Sequence, residues 1–279
     1  MAVPHYAGPI HRLWDRGFRV FCGCVYAFLI IPLIVIIPLS FNAQPYFTFT
    51  PEMLRLDPDA YSLRWYQEVF ESARWRRSIT NSIIIALCAS SLATILGTLA
   101  ALGLTRPRMP FRTLIMAVLL SPLIVPLIVT AAAAFFFYAR LGLAQTLPGI
   151  ILVHAAIGVP FVVTTVMASL SRLDRAMPLA AASLGANPVR TFFDVTLPLI
   201  FPGVISGGLF AFVMSFDEPV IVLFMAGVDQ RTIPVQMWSG LREQVSPDIL
   251  AAASMLITLA VTLLITIEFL RRRSERLQG

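Results

Sequence analysis

Six long hydrophobic runs constrain the fold of this chain more than any motif does. They cover residues 21–41, 78–104, 111–138, 147–171, 197–216 and 249–270. A helix of about 20 apolar residues is long enough to cross the hydrocarbon of a bilayer. With 58% hydrophobic and 13% charged residues and a mean hydropathy of +0.81, the 279-residue chain is too apolar for a soluble domain. The sequence therefore predicts an all-α polytopic membrane protein with six transmembrane helices.

The runs predict a single membrane domain with short tails. We expect residues 1–20 to form an N-terminal tail, residues 21–271 the membrane domain and residues 272–279 a C-terminal tail. The first run could instead belong to a signal peptide, because basic residues precede it. Its apolar core is long for a signal peptide, and no small-x-small cleavage site follows Phe41. A retained membrane anchor is the favoured interpretation.

The arginines predict the orientation of the chain. If the N-terminus is cytoplasmic, 13 of the 21 arginines lie in inner segments. Five of the other eight lie in the long loop 42–77, where charge has a weaker effect on topology. Both termini are therefore predicted to be cytoplasmic, with Tyr61 and Gln244 on the outer side. The formal charge of +6 is a topology signal on this interpretation and does not indicate nucleic-acid binding.

The long outer loop contains one short helical pattern. Between residues 61 and 70, the spacing of Leu63, Tyr66 and Phe70 predicts a helix with these three side chains on one face. Trp65 and Tyr66 are residue types that favour a membrane interface, so this helix is expected along the outer surface. An ordinary structured loop is the alternative.

Prolines and small residues interrupt the hydrophobic runs. Kinked helices at membrane depth are tolerated where neighbouring helices or a cavity satisfy the freed carbonyl groups. A simple anchor does not need such breaks, so they favour a translocation pathway. Gly203 and Gly207, four residues apart, predict close packing of the fifth run against other helices. The prolines in or beside the runs are Pro122, Pro126, Pro160, Pro198, Pro202 and Pro219.

Residues that carry enzyme chemistry are scarce. The chain contains no lysine, which excludes a P-loop lysine for nucleotide phosphates and a Schiff-base lysine. Of the three histidines, His5 and His11 lie in the N-terminal tail and His154 lies in the fourth run, and none has a partner at metal-ligand spacing. The sequence therefore indicates no enzyme, no metal and no cofactor in this chain. His154 is interpreted as a hydrogen-bonded packing residue in preference to a proton carrier.

The segment 172–197, between the fourth and fifth runs, has the pattern of a helical hairpin. Gly185 stands where a helix C-terminus requires a left-handed residue. Asn187 is placed to cap a second helix, and Pro188 suits its first position. A structured hairpin beside a membrane is typical of a docking element.

Two adjacent acids follow the fifth run. Asp217 and Glu218 come directly after Phe216, and burying them in lipid is expensive, so at least one is expected to face water, a partner or a solute path. The alternative is that they mark the outer end of the span and are neutralised by Arg231 or Arg242. Residues 219–226 are too few to cross the membrane and are interpreted as a continuation or partial re-entry of the fifth helix.

The hairpin resembles the coupling loop, or "EAA" loop, of membrane subunits from bacterial ATP-binding-cassette importers. Ala180 and Ala181, Gly185, and the pair Leu197 and Pro198 match its pattern in register. The stretch Ser215-Phe-Asp-Glu-Pro-Val-Ile, with Thr232-Ile-Pro-Val and Ser246-Pro-Asp-Ile-Leu-Ala, is similar to the second membrane subunit of spermidine/putrescine importers. The segment Tyr61-Ser-Leu-Arg-Trp-Tyr adds to this likeness, which covers nearly the whole chain.

The resemblance implies a type I importer permease in the bacterial inner membrane. Its partners would be a second permease subunit, two cytoplasmic ATPases that bind ATP and Mg, an extracytoplasmic solute-binding protein and the lipid bilayer. Leu179 departs from the family pattern, because a glutamate usually precedes the two alanines. Docking on the ATPase would therefore depend on Ala180, Ala181, Gly185 and apolar contacts such as Phe192 and Phe193.

We therefore expect a permease subunit for a small, cationic solute, such as a polyamine or a related amine. An amino-acid derivative and an aminophosphonate are alternative solutes. A self-contained secondary transporter is the alternative class, but it normally needs coupling-ion residues at mid-membrane and often inverted repeats. A structural anchor would not account for the proline-broken spans.

Overall fold

The structure is a computed structural model that describes residues 9–106, 108–174, 176–243 and 246–278. The described residues form helices joined by loops, and none of them belongs to a β-strand. The chain divides into two compact units, residues 1–72 with 239–279 and residues 73–238. The first and last helices belong to one unit with the outer loop, because their closest packing partners lie there.

Thirteen α-helices follow one another along the described residues. In chain order they are α1 (Pro9–Leu39), α2 (Pro51–Leu54), α3 (Arg64–Glu71), α4 (Ala73–Leu104), α5 (Arg112–Ile124), α6 (Leu127–Arg140), α7 (Leu147–Ser171), α8 (Ala176–Ser183), α9 (Pro188–Thr191), α10 (Leu197–Phe216), α11 (Val220–Met225), α12 (Ile233–Glu243) and α13 (Asp248–Gln278). Helix α1 begins inside the segment expected as a tail, and α13 continues past residue 271.

The helical membrane architecture is confirmed, but the count of six spans is not. Within the described residues, four segments are long and apolar enough to cross a membrane, and α5 with α6 adds a fifth if the pair is one span. Among the residues whose side chains the structure describes, α13 contributes the apolar segment Asp248–Thr262, which by itself is shorter than a span. The four segments are Trp14–Leu39, Ala73–Leu104, Leu147–Ser171 and Pro188–Phe216.

The third predicted run is not one straight helix. It is divided into α5 and α6, which are bent by 105° relative to each other. Pro126 lacks a backbone N–H donor, and its ring disfavours helical backbone at the residue before it. Val125 accordingly has φ −70° and ψ 131°. The two helices therefore meet at a proline break that the hydrophobic run alone does not reveal.

In the first unit, the short helix predicted within the outer loop is present as α3. Leu63 and Phe70 are exposed, and Trp65 and Val69, four residues apart, are buried. The indole N–H of Trp65 donates a hydrogen bond of 2.7 Å to the carbonyl of Asn42. Leu63 and Phe70 thus lie on a face that does not pack on the protein, and the position of α3 along the outer membrane surface stays a prediction.

The second unit has a core in which α10 packs closely on α7 through small residues. A Cβ atom on Gly203 would lie 2.1 Å from the Ser169 hydroxyl oxygen, and one on Gly207 would lie 2.4 Å from that of Thr165. No side chain fits at these distances. Ala211 continues the buried face one turn further along α10. The predicted packing of this span against protein is therefore confirmed.

Candidate functional sites

The hairpin at residues 172–197 turns through a glycine cap. Helix α8 ends at Ser183, and Gly185 has φ +89°, in the left-handed region that favours glycine. The N–H of Gly185 donates to the carbonyl of Ala182 at 3.0 Å, and the N–H of Ala186 donates to that of Ala181 at 3.1 Å. These two bonds form a Schellman motif, which satisfies carbonyls at the end of α8.

The second half of the hairpin begins with the expected cap. The side-chain oxygen of Asn187 accepts a hydrogen bond of 2.8 Å from the backbone N–H of Arg190. Pro188 follows at the first position of α9, where its missing donor has no cost. The local conformations predicted for Gly185, Asn187 and Pro188 are therefore confirmed.

Helix α9 continues into α10 through one widened turn. The N–H of Leu197 donates to the carbonyl of Phe192, five residues earlier, so residues 192–196 form a π turn. Pro198 comes next, and its ring would crowd the carbonyl of Asp194 in a regular α-helix, so the wider turn accommodates it. The second arm of the hairpin and the fifth span are one continuous helix, Pro188–Phe216.

The hairpin presents apolar side chains to its surroundings. Leu184 is 90% exposed and Leu179 is 67% exposed, and Val189 and Phe193 are also exposed. Exposed apolar clusters of this kind mark interaction surfaces. Sequence reasoning missed Leu184 and Val189, although each is a large apolar residue next to the turn. Of the other predicted coupling residues, Ala180, Asn187, Pro188 and Pro198 are exposed, and Ala181, Phe192 and Leu197 are half-buried; Arg175 lies outside the described residues.

At the other end of α10, the two adjacent acids have different environments. Glu218 is 5% exposed, and its carboxylate accepts hydrogen bonds from the backbone N–H groups of Val220 and Ile221. These donors belong to the first turn of α11, so Glu218 stabilises the start of that helix. Asp217 is exposed. Of the two adjacent acids, Glu218 is therefore a structural carboxylate and Asp217 has an exposed side chain.

Helix α11 is a separate helix and does not continue α10. The backbone leaves helical geometry at Asp217, the last capping position of α10, and helical geometry resumes after Pro219. Ile221, Val222 and Met225 are fully buried in a hydrophobic cluster with residues of α6 and α7. This packing gives residues 219–226 a place in the core of the second unit, which the sequence pattern did not show.

Asp217 has no ion pair among the residues that the structure describes in its unit. Arg231, one proposed neutralising group, lines a separate cavity, and Arg242 belongs to the first unit. Phe216, the third predicted member of the solute path, is half-buried and stacks on Phe212 with ring centres 5.8 Å apart. Asp217 is thus an exposed carboxylate that follows the half-buried Phe216 in the chain.

A buried histidine lies in the helix interface behind these residues. The Nδ1 atom of His154, on α7, is 2.8 Å from the hydroxyl oxygen of Ser215, on α10. His154 is 1% exposed, and its Nε2 atom has no partner among the described residues. The packing role predicted for His154 is therefore confirmed, but only one of its two nitrogens is hydrogen-bonded.

Helix α10 connects the two candidate sites. It contains 20 residues, which at 1.5 Å per residue extend about 30 Å, the thickness of the hydrocarbon core of a bilayer. The apolar hairpin lies at its N-terminal end and Asp217 at its C-terminal end. One continuous helix therefore separates the exposed apolar hairpin from the exposed carboxylate of Asp217 by about the thickness of a bilayer core.

Comparison with known proteins identifies the class of this chain. Residues 93–276 match the family described as binding-protein-dependent transport system inner membrane component. The match covers more than half of the chain, and the chain belongs to this family. It is a multi-pass permease component of a transport system in the inner membrane, and it is not an enzyme.

Two curated relatives are permeases of polyamine transport systems. The chain is 30% identical to the spermidine/putrescine transport system permease protein PotC of Haemophilus influenzae, over 92% of this chain and 97% of that protein. It is 32% identical to the putrescine transport system permease protein PotI of Escherichia coli strain K12, over 83% of this chain and 82% of that protein.

Solved structures support the fold. A chain of a bacterial ABC transporter involved in the import of the acidic polysaccharide alginate aligns with a TM-score of 0.69 over 96% of this chain and 99% of that chain. A second structure is a bacterial alginate ABC transporter in complex with an alginate pentasaccharide-bound periplasmic protein. One of its chains aligns with a TM-score of 0.64 over 92% of this chain and 93% of that chain. Their sequence identities, 16% and 14%, support the fold alone.

Proposed function

We propose that this chain is one of two permease subunits in an ATP-driven importer of a small amine such as putrescine or spermidine. A second permease, two cytoplasmic ATPases and an extracytoplasmic solute-binding protein complete the complex. ATP and Mg bind to the ATPases. The observation that carries the proposal is helix α10, which joins the exposed hairpin at Leu197 to the unpaired carboxylate of Asp217.

The charge of Asp217 supports an amine as the solute. A carboxylate at the end of a membrane span attracts an ammonium group strongly, because the local dielectric constant is below that of water. Phe216 adds an aromatic ring beside it, and ring faces also attract cations. The two curated relatives are both polyamine permeases, which agrees with this chemistry.

The hairpin is proposed as the docking element for the ATPase. Its exposed apolar side chains at Leu179, Leu184 and Phe193 are suited to packing in an apolar groove of a partner protein. Since α9 and α10 are continuous, closure of the ATPases would move the hairpin and α10 together. The absence of the usual glutamate at Leu179 removes an ion pair from this interface but leaves the apolar contacts.

Both termini and the hairpin are proposed to face the cytoplasm, following the excess of arginine in these segments. This predicts that a cysteine in the loop 42–72 reacts with a membrane-impermeant maleimide in spheroplasts, and that one in the hairpin does not. Leu54 and Val189 are suitable sites, because both are exposed. Tyr61 is less suitable, since its hydroxyl donates a hydrogen bond to the carbonyl of Met53.

The labelling requires a background without the native Cys22, Cys24 and Cys88. We expect Leu54→Cys to react in intact spheroplasts and Val189→Cys to react only after permeabilisation. The reverse pattern would overturn the proposed orientation. The second outer site predicted from the sequence, Gln244, lies outside the described residues.

Copurification tests the proposed complex. A tagged chain extracted from native membranes in mild detergent should retain an ATPase and a second permease, identified by mass spectrometry. Purification as a lone chain that transports solute on an ion gradient would support a secondary transporter and contradict the proposal.

A thermal-shift screen of the solute-binding protein then distinguishes the candidate solutes. Stabilisation by putrescine or spermidine is expected. Stabilisation only by an amino-acid derivative or an aminophosphonate would contradict the proposal that the solute is a polyamine.

A further inference from the structure

A small cavity rich in arginine lies in the second unit, apart from the sites described above. Its volume is about 140 Å³, and it lies at the start of α4, beside the loop that joins α11 to α12. Three arginines line it, together with one hydroxyl and one amide side chain. The lining residues are Ala73, Arg74, Arg77, Ser78, Val228, Arg231 and Gln236.

The cavity carries a net positive charge. Arg77 forms an ion pair with Asp229. Among the described residues of this unit, no other acid forms an ion pair with any of the three guanidinium groups. Arg74 and Arg231 remain without a carboxylate partner there. Guanidinium groups match carboxylates in geometry as well as charge, because they donate two parallel hydrogen bonds. The cavity is therefore suited to a carboxylate and repels a polyamine.

Polar groups inside the cavity are left free to bind. Gln236 is 8% exposed and Ser78 is 2% exposed, so both are more than nine-tenths buried. Neither side chain has a hydrogen bond to another residue that the structure describes. Buried amides and hydroxyls normally have partners. Both residues line a space that three arginines also line, and this combination of donors favours an anionic ligand.

The walls of the cavity are held in place by buried hydrogen bonds. The side-chain amide of Asn81 donates to the carbonyls of Asp229, at 2.7 Å, and Arg231, at 3.0 Å. The hydroxyl oxygen of Ser82 accepts from the backbone N–H of Ile233 at 2.8 Å. These bonds hold the loop against α4, so the backbone of Arg231 is positioned before any ligand arrives, which lowers the entropic cost of binding.

We propose that this cavity receives an acidic side chain of the solute-binding protein when that protein docks on the permease. The inference rests on the proposed function and orientation, which place the start of α4 on the outer side. The volume excludes a whole drug-sized solute, for which pockets of about 300–1,000 Å³ are usual. A single carboxylate on a docking protein fits both the volume and the charge.

The test measures binding of the solute-loaded binding protein to the assembled transporter in nanodiscs by biolayer interferometry. The double variant Arg74→Gln with Arg231→Gln should raise the Kd about tenfold, mainly through slower association, and the effect should shrink at high ionic strength. Arg76→Gln is the matched control, since Arg76 is exposed on the same turn of α4 but does not line the cavity. It should change the Kd by less than about twofold.

A charge exchange identifies the partner group. Arg231→Glu should weaken docking, and an acid-to-lysine variant of the binding protein should restore it. Unchanged docking of the double variant, with normal docking of the wild type, would overturn this inference alone. If acetate or phosphate stabilises the wild type thermally but docking is insensitive to Arg74 and Arg231, the cavity is a small-anion site and the inference fails. Failure of the wild type to bind any solute-binding protein would instead contradict the proposed function.

Discussion

Replacing Gly185 with valine is expected to uncouple the transporter while the chain still inserts in the membrane. Gly185 has φ +89°, and a β-branched residue in this region costs about 1–2 kcal/mol. That cost corresponds to a five- to thirty-fold fall in the population of the native hairpin. Uptake and solute-stimulated ATPase activity in proteoliposomes should fall together. Size-exclusion chromatography should show that the complex still assembles as in the wild type.

The structure makes this substitution a clean test of backbone conformation. A Cβ atom at Gly185 would meet no atom within 4 Å, so crowding inside the chain cannot explain a loss. Gly185→Asn is the matched control, because asparagine tolerates the left-handed region, and it should keep most of the coupling. Gly103→Val is a second control at a glycine with equal space and ordinary helical backbone. Wild-type coupling in Gly185→Val would remove the hairpin from the mechanism.

Replacing Asp217 with asparagine is expected to raise the KM for amine uptake by roughly ten- to a hundredfold. A hydrogen bond between an ammonium group and a carboxylate contributes about 1.5–3 kcal/mol, and the amide cannot supply the charge. The neighbouring Glu218→Gln should have a much smaller effect. Its side-chain oxygen can still accept from the N–H groups of Val220 and Ile221, so the cap of α11 is retained.

A third variant separates charge from structure at this position. Glu218→Leu removes the cap and should destabilise the protein by about 0.5–2 kcal/mol, measured as a lower Tm in nanodiscs. Asp217→Asn should leave the Tm unchanged, since Asp217 has no ion pair among the described residues of its unit. Uptake with a wild-type KM in Asp217→Asn would show that the acid marks the end of the span and lies off the solute path.

Features that depend on local chain chemistry could be predicted from the sequence. The left-handed residue at Gly185, the cap at Asn187 and the first-turn Pro188 follow from interactions among residues a few positions apart. The close approach of α10 to α7 follows from Gly203 and Gly207, because only small residues leave room for it. Membrane insertion follows from hydrophobic length. Such features need no knowledge of which helices are neighbours.

Features that depend on distant contacts could not be predicted in this way. The buried indole of Trp65 on α3 donates its hydrogen bond to the carbonyl of Asn42, 23 residues earlier in the chain. The arginine cavity exists because Asn81 holds a loop about 150 residues further along the chain. No local pattern encodes a pairing over such separations, so the cavity had no signal in the sequence.

The two adjacent acids show most clearly which features follow from the sequence and which depend on the tertiary structure. The sequence by itself determined that a carboxylate pair follows a membrane span, that a helical hairpin precedes it, and that the chain belongs among polytopic membrane proteins. Only the tertiary structure decided that Glu218 is buried as a helix cap while Asp217 stays free, and that one helix joins Asp217 to the hairpin. The physical reason is that burial and hydrogen-bond partners depend on how the helices pack. Where a helix ends, the side chains of two adjacent residues can point in different directions.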